Sequence, residues 1–361
     1  MNRQVCSAIG IAVVIGIFFG LSGCMHYEPI ERENINSNKA TKGLFIMNEG
    51  NFRSGNASLS YYDPDSMKVE NYVFYRTNGI KLGDVAQSMT IRDSLGYLVV
   101  NNSGIIFVIN VNTFQLVGTI RGLVSPRYIH FLSDEKAYVT DLYSYFISVI
   151  NPKEFKIIKR INVRVNGKDQ PSTEQMVQYK NFIFTNCWSY DNKILVIDTQ
   201  TDSVVDYIEV GIQPTSLVID KYNKIWTITD GGYEGSPYGH TAPALYRIDA
   251  ETRKIEQTFN FELGESGSEI CMNGTRDTLY FINKHIWRMA ATSDKLPDKP
   301  FLENPTTNHW YGLTVNPYNS DVYLADAIDY TQPGRIYRYN AQGELLDQFE
   351  VGIIPGAFCF K

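Results

Sequence analysis

Seven polar residues recur along this chain at matching points. Asn48, Asn101, Asp141, Asn186, Asp230, Asn283 and Asp326 each close a short run of apolar, β-branched or aromatic residues. Gathered into one ring, they would offer a polar ligand or ordered water both kinds of hydrogen-bonding group. Asn donates and accepts, whereas ionised Asp only accepts. Asn and Asp are also what strands use where they stop and turn, so the same positions carry a structural reading beside the functional one.

What surrounds these residues is more distinctive. Asp141 is followed by LYSYF, Asn186 by CWSYDN, Asp230 by GGYEGSPYGHTAP and Asp326 by AIDYTQPG. Glu49 and Asn51 flank the first position, while Arg127-Tyr128 and His309-Trp310-Tyr311 each lead into an apolar segment. Grouped aromatics and amides suit a broad, partly polar ligand, because rings give contact area with hydrogen-bonding tips at low entropic cost. The same side chains also pack ordinary cores.

Catalytic patterns are sparse. The sequence has no GxSxG elbow, no HExxH and no P-loop. His26, His130, His240, His285 and His309 are scattered without metal-ligand spacing. A ring of Asn and Asp at a channel mouth does keep open a calcium-dependent, lactonase-like chemistry, although a companion Glu/His set is missing.

Positioning such a ring requires repeated elements. Apolar pairs at i and i+2 recur at Met89/Ile91, Ile129/Phe131, Leu217/Ile219, Ile270/Met272, Leu313/Val315 and Phe358/Phe360, with Met176 and Gln178 completing the series. Their first members lie 40, 47, 41, 53, 43 and 45 residues apart, the length of a propeller blade. Each unit holds four short strand-like runs separated by turn formers. Hairpins of the type VINVNTF and VIDTQTD place Asp63, Asn110, Asn151, Asp198, Asp249 and Asn340 at equivalent turns, and WRMAATSDK in the fifth full unit breaks that pattern.

The first unit lacks an opening strand, and the last, GAFCF, contains only that strand. Joined, they make one blade and bring the total to seven, so a closed ring leaves no open sheet edge. The fold class expected is therefore all-β: a seven-bladed β-propeller of four-stranded blades over residues 43–361, closed by pairing of the N- and C-terminal strands. In an antiparallel blade the start of the innermost strand and the end of the second share one mouth of the ring. The candidate binding set at that mouth is Asn48, Glu49, Asn51, Asn101, Arg127, Tyr128, Asp141, Tyr143, Asn186, Trp188, Asp230, Tyr233, Asn283, His285, Trp310, Tyr311 and Asp326. No catalytic residue and no metal ligand is assigned.

The N-terminus addresses the chain. Arg3 precedes the apolar run IAVVIGIFFG, and LSGC ends at Cys24. This is the pattern of a lipoprotein signal over residues 1–23, with Cys24 as the lipidated first residue of the mature chain, because the apolar run is shorter than the roughly 20 residues a spanning helix needs. Residues 24–42 form a polar tether. Removing Arg3 shifts the formal charge from −6 to −7 and leaves no basic block, which argues against nucleic acid as a partner. Cys187, Cys271 and Cys359 imply neither a disulfide framework nor a zinc site.

The lipobox and tether, the stretch LFIMNEGNFRSGNASLSYYDPDS, the unit opening KLGDVAQSM and the VIDxxT hairpin together resemble the YncE-like seven-bladed propeller lipoproteins of Bacteroides-type bacteria, from about Gly43 to the C-terminus. The resemblance implies a lipid-anchored outer-membrane protein, facing the cell surface and without catalysis. It would capture cobalamin (vitamin B12) or a related corrinoid and pass it to a TonB-dependent outer-membrane transporter, with no resident cofactor required. A corrin fringed with amides would suit the Asn, Asp, Tyr and Trp of the mouth. Two alternatives remain: a glycan-binding or structural surface propeller of another uptake system, and a calcium-dependent enzyme of lactonase type.

Overall fold

The computed structural model describes residues 43–164, 171–305 and 308–361. The signal peptide, Cys24 and the tether lie outside the described residues.

The strands form seven antiparallel sheets arranged as blades. Six have four strands. The innermost strands are Ala86–Arg92, Pro126–Phe131, Thr173–Tyr179, Pro214–Ile219, Gly267–Met272, Trp310–Val315 and, from the chain's end, Pro355–Phe360. We number the blades from the one containing both chain ends, so Ala86–Arg92 opens blade 2 and Trp310–Val315 opens blade 7.

Closure of the ring is as expected from the counting of units. Leu44–Asn48 lies between Pro355–Phe360 and Ser58–Asp63, with Leu44 opposite Phe360 and Ile46 opposite Phe358. The final backbone amide, of Lys361, donates to Gly43 O at 2.8 Å. Blade 7 is tied to this seam by Arg338, whose guanidinium grips Asp321 at 2.7 Å and 2.9 Å and donates to Pro64 O at 3.1 Å. Beside it Tyr62 stacks on Phe349, centroids 4.1 Å apart, and donates to Asp347 at 2.7 Å.

The core is divided among the interfaces between blades. Tyr97 and Val99 of blade 2 meet Ile129 and Val139 of blade 3, and Leu44 and Ile46 of blade 1 meet Tyr323 and Ala325 of blade 7. Inner strands packed on both faces cannot alternate apolar with polar residues, which is why LFIMN, LGYLVV and FIFTNC read as continuous apolar runs. The hairpin Asn and Asp cap their turns, as in Asn110 Oδ1 accepting from Asn112 N and Asp198 Oδ1 from Gln200 N, both at 2.8 Å.

Blade 6 corrects the uniform four-strand expectation. Among the described residues its sheet contains Gly267–Met272, Thr278–Asn283 and His285–Ala290, and the fourth place is touched only by a bridge between Ile286 and Leu302. This is the unit whose hairpin signature fails. The segment that follows, KLPDKPFLENP, carries three prolines, which have no N–H to give a ladder.

Candidate functional site

Every innermost strand is interrupted at the same mouth of the ring. The register of its pairing slips between Ala86 and Ser88, Pro126 and Ile129, Thr173 and Met176, Pro214 and Ser216, Gly267 and Ile270, Trp310 and Gly312, and opposite Met47 and Asn48. A bulge leaves a residue without a ladder partner and re-aims its side chain. Gln87, Arg127, Tyr128, Glu174, Thr215, Ser268, Glu269, Tyr311 and Gly356 stand at these slips, and all nine line a central cavity of about 710 Å³.

The floor of this cavity is charged. Arg127 Nε donates to Glu174 Oε2 at 2.7 Å, and the same guanidinium donates to Gln87 Oε1. Burial works against the arginine cation, and Glu174, Tyr128 and Glu49 together more than offset it. Tyr311 donates to the Glu49 carboxylate, 3.1 Å from both oxygens. Gly356 makes room for this pair, because a Cβ there would fall 2.5 Å from Glu49 Oε1. Burial pushes Glu49 up to about 7 although Arg127 and Tyr311 pull it down. Glu269 is pushed up to about 8, chiefly by burial and then by the Glu174 and Glu49 carboxylates. Burial also raises the Tyr128 and Tyr311 hydroxyls far above their ordinary range.

The rim is aromatic. Phe52, Tyr143, Trp188, Trp310 and Tyr330 reach into the cavity wall. Tyr190 and Tyr238 stack with centroids 4.6 Å apart, and they, Tyr143 and Tyr233 are all exposed. Trp188 Nε1 donates to Asp230 Oδ2 at 3.4 Å, and Gln213 Nε2 lies 2.9 Å from both Asp230 oxygens. Tyr330 packs edge-on to Tyr311, joining rim to floor.

The seven-member Asn/Asp ring exists, but most of its side chains are engaged by the backbone. Asp141 accepts from Val124 N, Ser125 N, Tyr143 N and Ser144 N at 2.8 to 3.2 Å. Asp326 accepts from His309 N and Ile328 N at 3.0 and 2.9 Å, and Asp230 from Gly232 N at 2.8 Å. The carboxylates thus clamp the loop ends of their own blade. Asn101 and Asn186 instead reach the next blade, donating to Pro126 O and Pro214 O at 3.2 and 2.7 Å. Asn48 bonds Ser58 and Ser60, and Asn283 bonds Glu265.

Of the residues expected from the sequence, Glu49, Asn101, Arg127, Tyr128, Tyr143, Trp188, Asp230, Trp310 and Tyr311 line the cavity. Asn48, Asp141, Asn186, Asn283 and Asp326 are buried in the framework around it. Asn51 donates to Tyr330 O, and His285 Nδ1 accepts from Asn304 N at 2.9 Å, so both hold the rim. Tyr233 stands outside the cavity with the exposed aromatics. Missed entirely were Gln87, Glu174, Thr215, Ser268 and Glu269. Their signal was the two residues immediately before each inner apolar pair: Gln87-Ser88, Arg127-Tyr128, Glu174-Gln175, Thr215-Ser216, Ser268-Glu269, Tyr311-Gly312 and Gly356-Ala357.

Fold and site together define a seven-bladed β-propeller with a polar, aromatic-rimmed cavity at one mouth. The chain belongs to the family described as a domain of unknown function, DUF5074, which matches residues 42–360. It is also similar to antigen Lp49 of Leptospira interrogans, 29% identical over 133 residues, which cover 33% of this chain and 27% of that protein. That match spans about a quarter of Lp49. Among solved structures it resembles a quinoprotein alcohol dehydrogenase-like protein of Bacteroides thetaiotaomicron, with 15% identity, TM-score 0.69 and coverage of 88% of this chain and 78% of that one. The periplasmic gluconolactonase of Pseudomonas aeruginosa aligns with 12% identity, TM-score 0.63 and coverage of 89% and 99%. At these identities the likeness is one of fold.

Proposed function

We propose that this protein is a lipid-anchored ligand-capture propeller of the outer membrane, which binds cobalamin or a related corrinoid at the mouth described above and delivers it to a TonB-dependent transporter. The observation that carries the reading is the aromatic arc of exposed Tyr143, half-buried Trp188 and the stacked, exposed Tyr190 and Tyr238, standing beside a polar cavity of about 710 Å³. Such an arc covers the apolar edges of a broad ring while Asp230 and Asn101 meet peripheral amides. The lipobox ending at Cys24 supports anchoring, and a tethered domain raises ligand concentration beside an importer.

Calorimetric titration of the purified chain with cyanocobalamin tests this. Saturable binding with a dissociation constant below about 1 μM is expected; absence of heat at micromolar protein discards the corrinoid.

A second reading is favoured by Glu49, a buried carboxyl poised near neutrality beside a phenol and a guanidinium. Such a group has the pKa of a general base, and the fold likeness to a gluconolactonase supplies a substrate to try. Hydrolysis of glucono-δ-lactone that disappears in Glu49→Gln would support it.

A further inference from the structure

The cavity is lined by more carboxyl groups than cationic ones. Glu49, Glu174, Asp230 and Glu269 line it against Arg127 and Lys284. Arg127 is already committed to Glu174 and Gln87, and Glu49 to Tyr311. Glu269 has no hydrogen bond or ion pair among the described residues, and Glu174, only 3% exposed, keeps its second oxygen without a partner. An unpartnered buried carboxylate oxygen is costly unless something comes to meet it.

We propose that the floor of the channel is a subsite for an organic ammonium group, received between Glu269 and the carboxylates of Glu49 and Glu174. Among the described residues no three His, Cys, Asp or Glu side chains converge closely enough to hold a metal ion. Carboxylates spaced around a cavity suit a larger cation that touches them in turn. Tyr128 and Tyr311 line the same floor, and aromatic rings attract such a cation. This subsite is separate from the rim and does not depend on a corrinoid occupying it.

Binding is coupled to protons. Empty, the floor favours the protonated carboxyl of Glu269, which burial and then the neighbouring carboxylates raise. An arriving ammonium stabilises the ionised form and releases that proton. The groups facing Glu269 are Glu49, Glu174, Arg127, Tyr128, Tyr311 and Cys271. Asp230, Lys284 and His309 line the same cavity.

The test is calorimetry of the full chain in detergent with putrescine near neutral pH, repeated in phosphate and in HEPES, whose different ionisation heats separate proton release from binding heat. Putrescine should bind with a dissociation constant below about 1 mM and release about one proton. Glu269→Gln should weaken binding by about tenfold or more and reduce the proton release to the part supplied by Glu49. Glu135→Gln, which makes the same charge change at an exposed surface pair with Lys153, should do neither. If Glu269→Gln does not fold by circular dichroism, Glu49→Gln is the second variant, with the same loss of affinity expected. No binding of putrescine, binding without proton release, or unchanged affinity in the folded variant overturns the proposal. So does binding of calcium chloride in place of putrescine. Cyanocobalamin titrated into the same protein reports on the rim alone, so the two ideas can fail independently.

Discussion

The hydroxyl of Tyr311, on the inner strand of blade 7, sits 3.1 Å from both carboxylate oxygens of Glu49, which follows the second strand of blade 1. The two residues are 262 positions apart in sequence and meet because the chain's last strand completes blade 1 beside blade 7. Gly356 of that strand gives the Glu49 carboxylate its space. Gly356→Ala should push the carboxylate away from Tyr311. Of the two effects that hold Glu49 down, the phenol's would be lost, so its pKa should rise further above 7. Carboxyl titration followed by NMR or infrared spectroscopy checks this, and an unmoved Glu49 would refute the close-packing account.

The raised carboxyls also set a pH dependence of stability. Glu49 and Glu269 bind protons more tightly folded than unfolded, from an ordinary value of 4.5 to about 7 and about 8. The folded state therefore holds more protons between those limits, and stability falls as pH rises through them. The contribution is fully present below 4.5 and lost by about 8. The double variant Glu49→Gln/Glu269→Gln should gain melting temperature at pH above 8 relative to the wild type, while the gain shrinks toward pH 5. A gain that is larger at the acid end would mean that these carboxyls are ionised and satisfied in the native cavity.

Ring closure predicts where truncation is fatal. Removing residues 355–361 deletes the inner strand of blade 1 and leaves Leu44–Asn48 unpaired along one edge, so the whole domain should lose its cooperative melting transition. Arg338→Ala is the gentler version. It strands Asp321, buried with an 8% exposed side chain, and should cost about 3–5 kcal/mol in denaturant unfolding.

How much of this was legible in the sequence follows from the range of each signal. The blades and the closure were readable because the Met89/Ile91 type of apolar pair recurs at blade length, and because one end of the chain lacks the strand that the other supplies. The three-stranded blade 6 was flagged by WRMAATSDK, whose meaning stayed open until the prolines could be placed beside Ile286. The floor was harder. Glu174 and Glu269 look like polar residues starting a strand, and only the bulge between Thr173 and Met176, or Gly267 and Ile270, turns them into the channel. Asn and Asp were found easily but carry both a turn reading and a ligand reading in the sequence, and four backbone amides converge on Asp141 alone. A strand end signals a turn and a ligand with the same residues.

That ambiguity can be resolved by experiment. Asp141→Ala removes the acceptor of four backbone N–H groups while its side chain lies outside the cavity lining, so it should destabilise the fold by about 3 kcal/mol and leave ligand affinity unchanged. Trp188→Ala should do the reverse. Its ring stands in the cavity wall with only the long Asp230 contact of 3.4 Å to lose, so stability should change little. Affinity for whatever ligand occupies the rim should fall by about 2 kcal/mol, the usual loss for a buried aromatic anchor. Paired thermal melts and titrations of the two variants separate the framework of the mouth from its binding surface. If Asp141→Ala binds more weakly while melting as the wild type, the Asn/Asp ring belongs to the ligand after all.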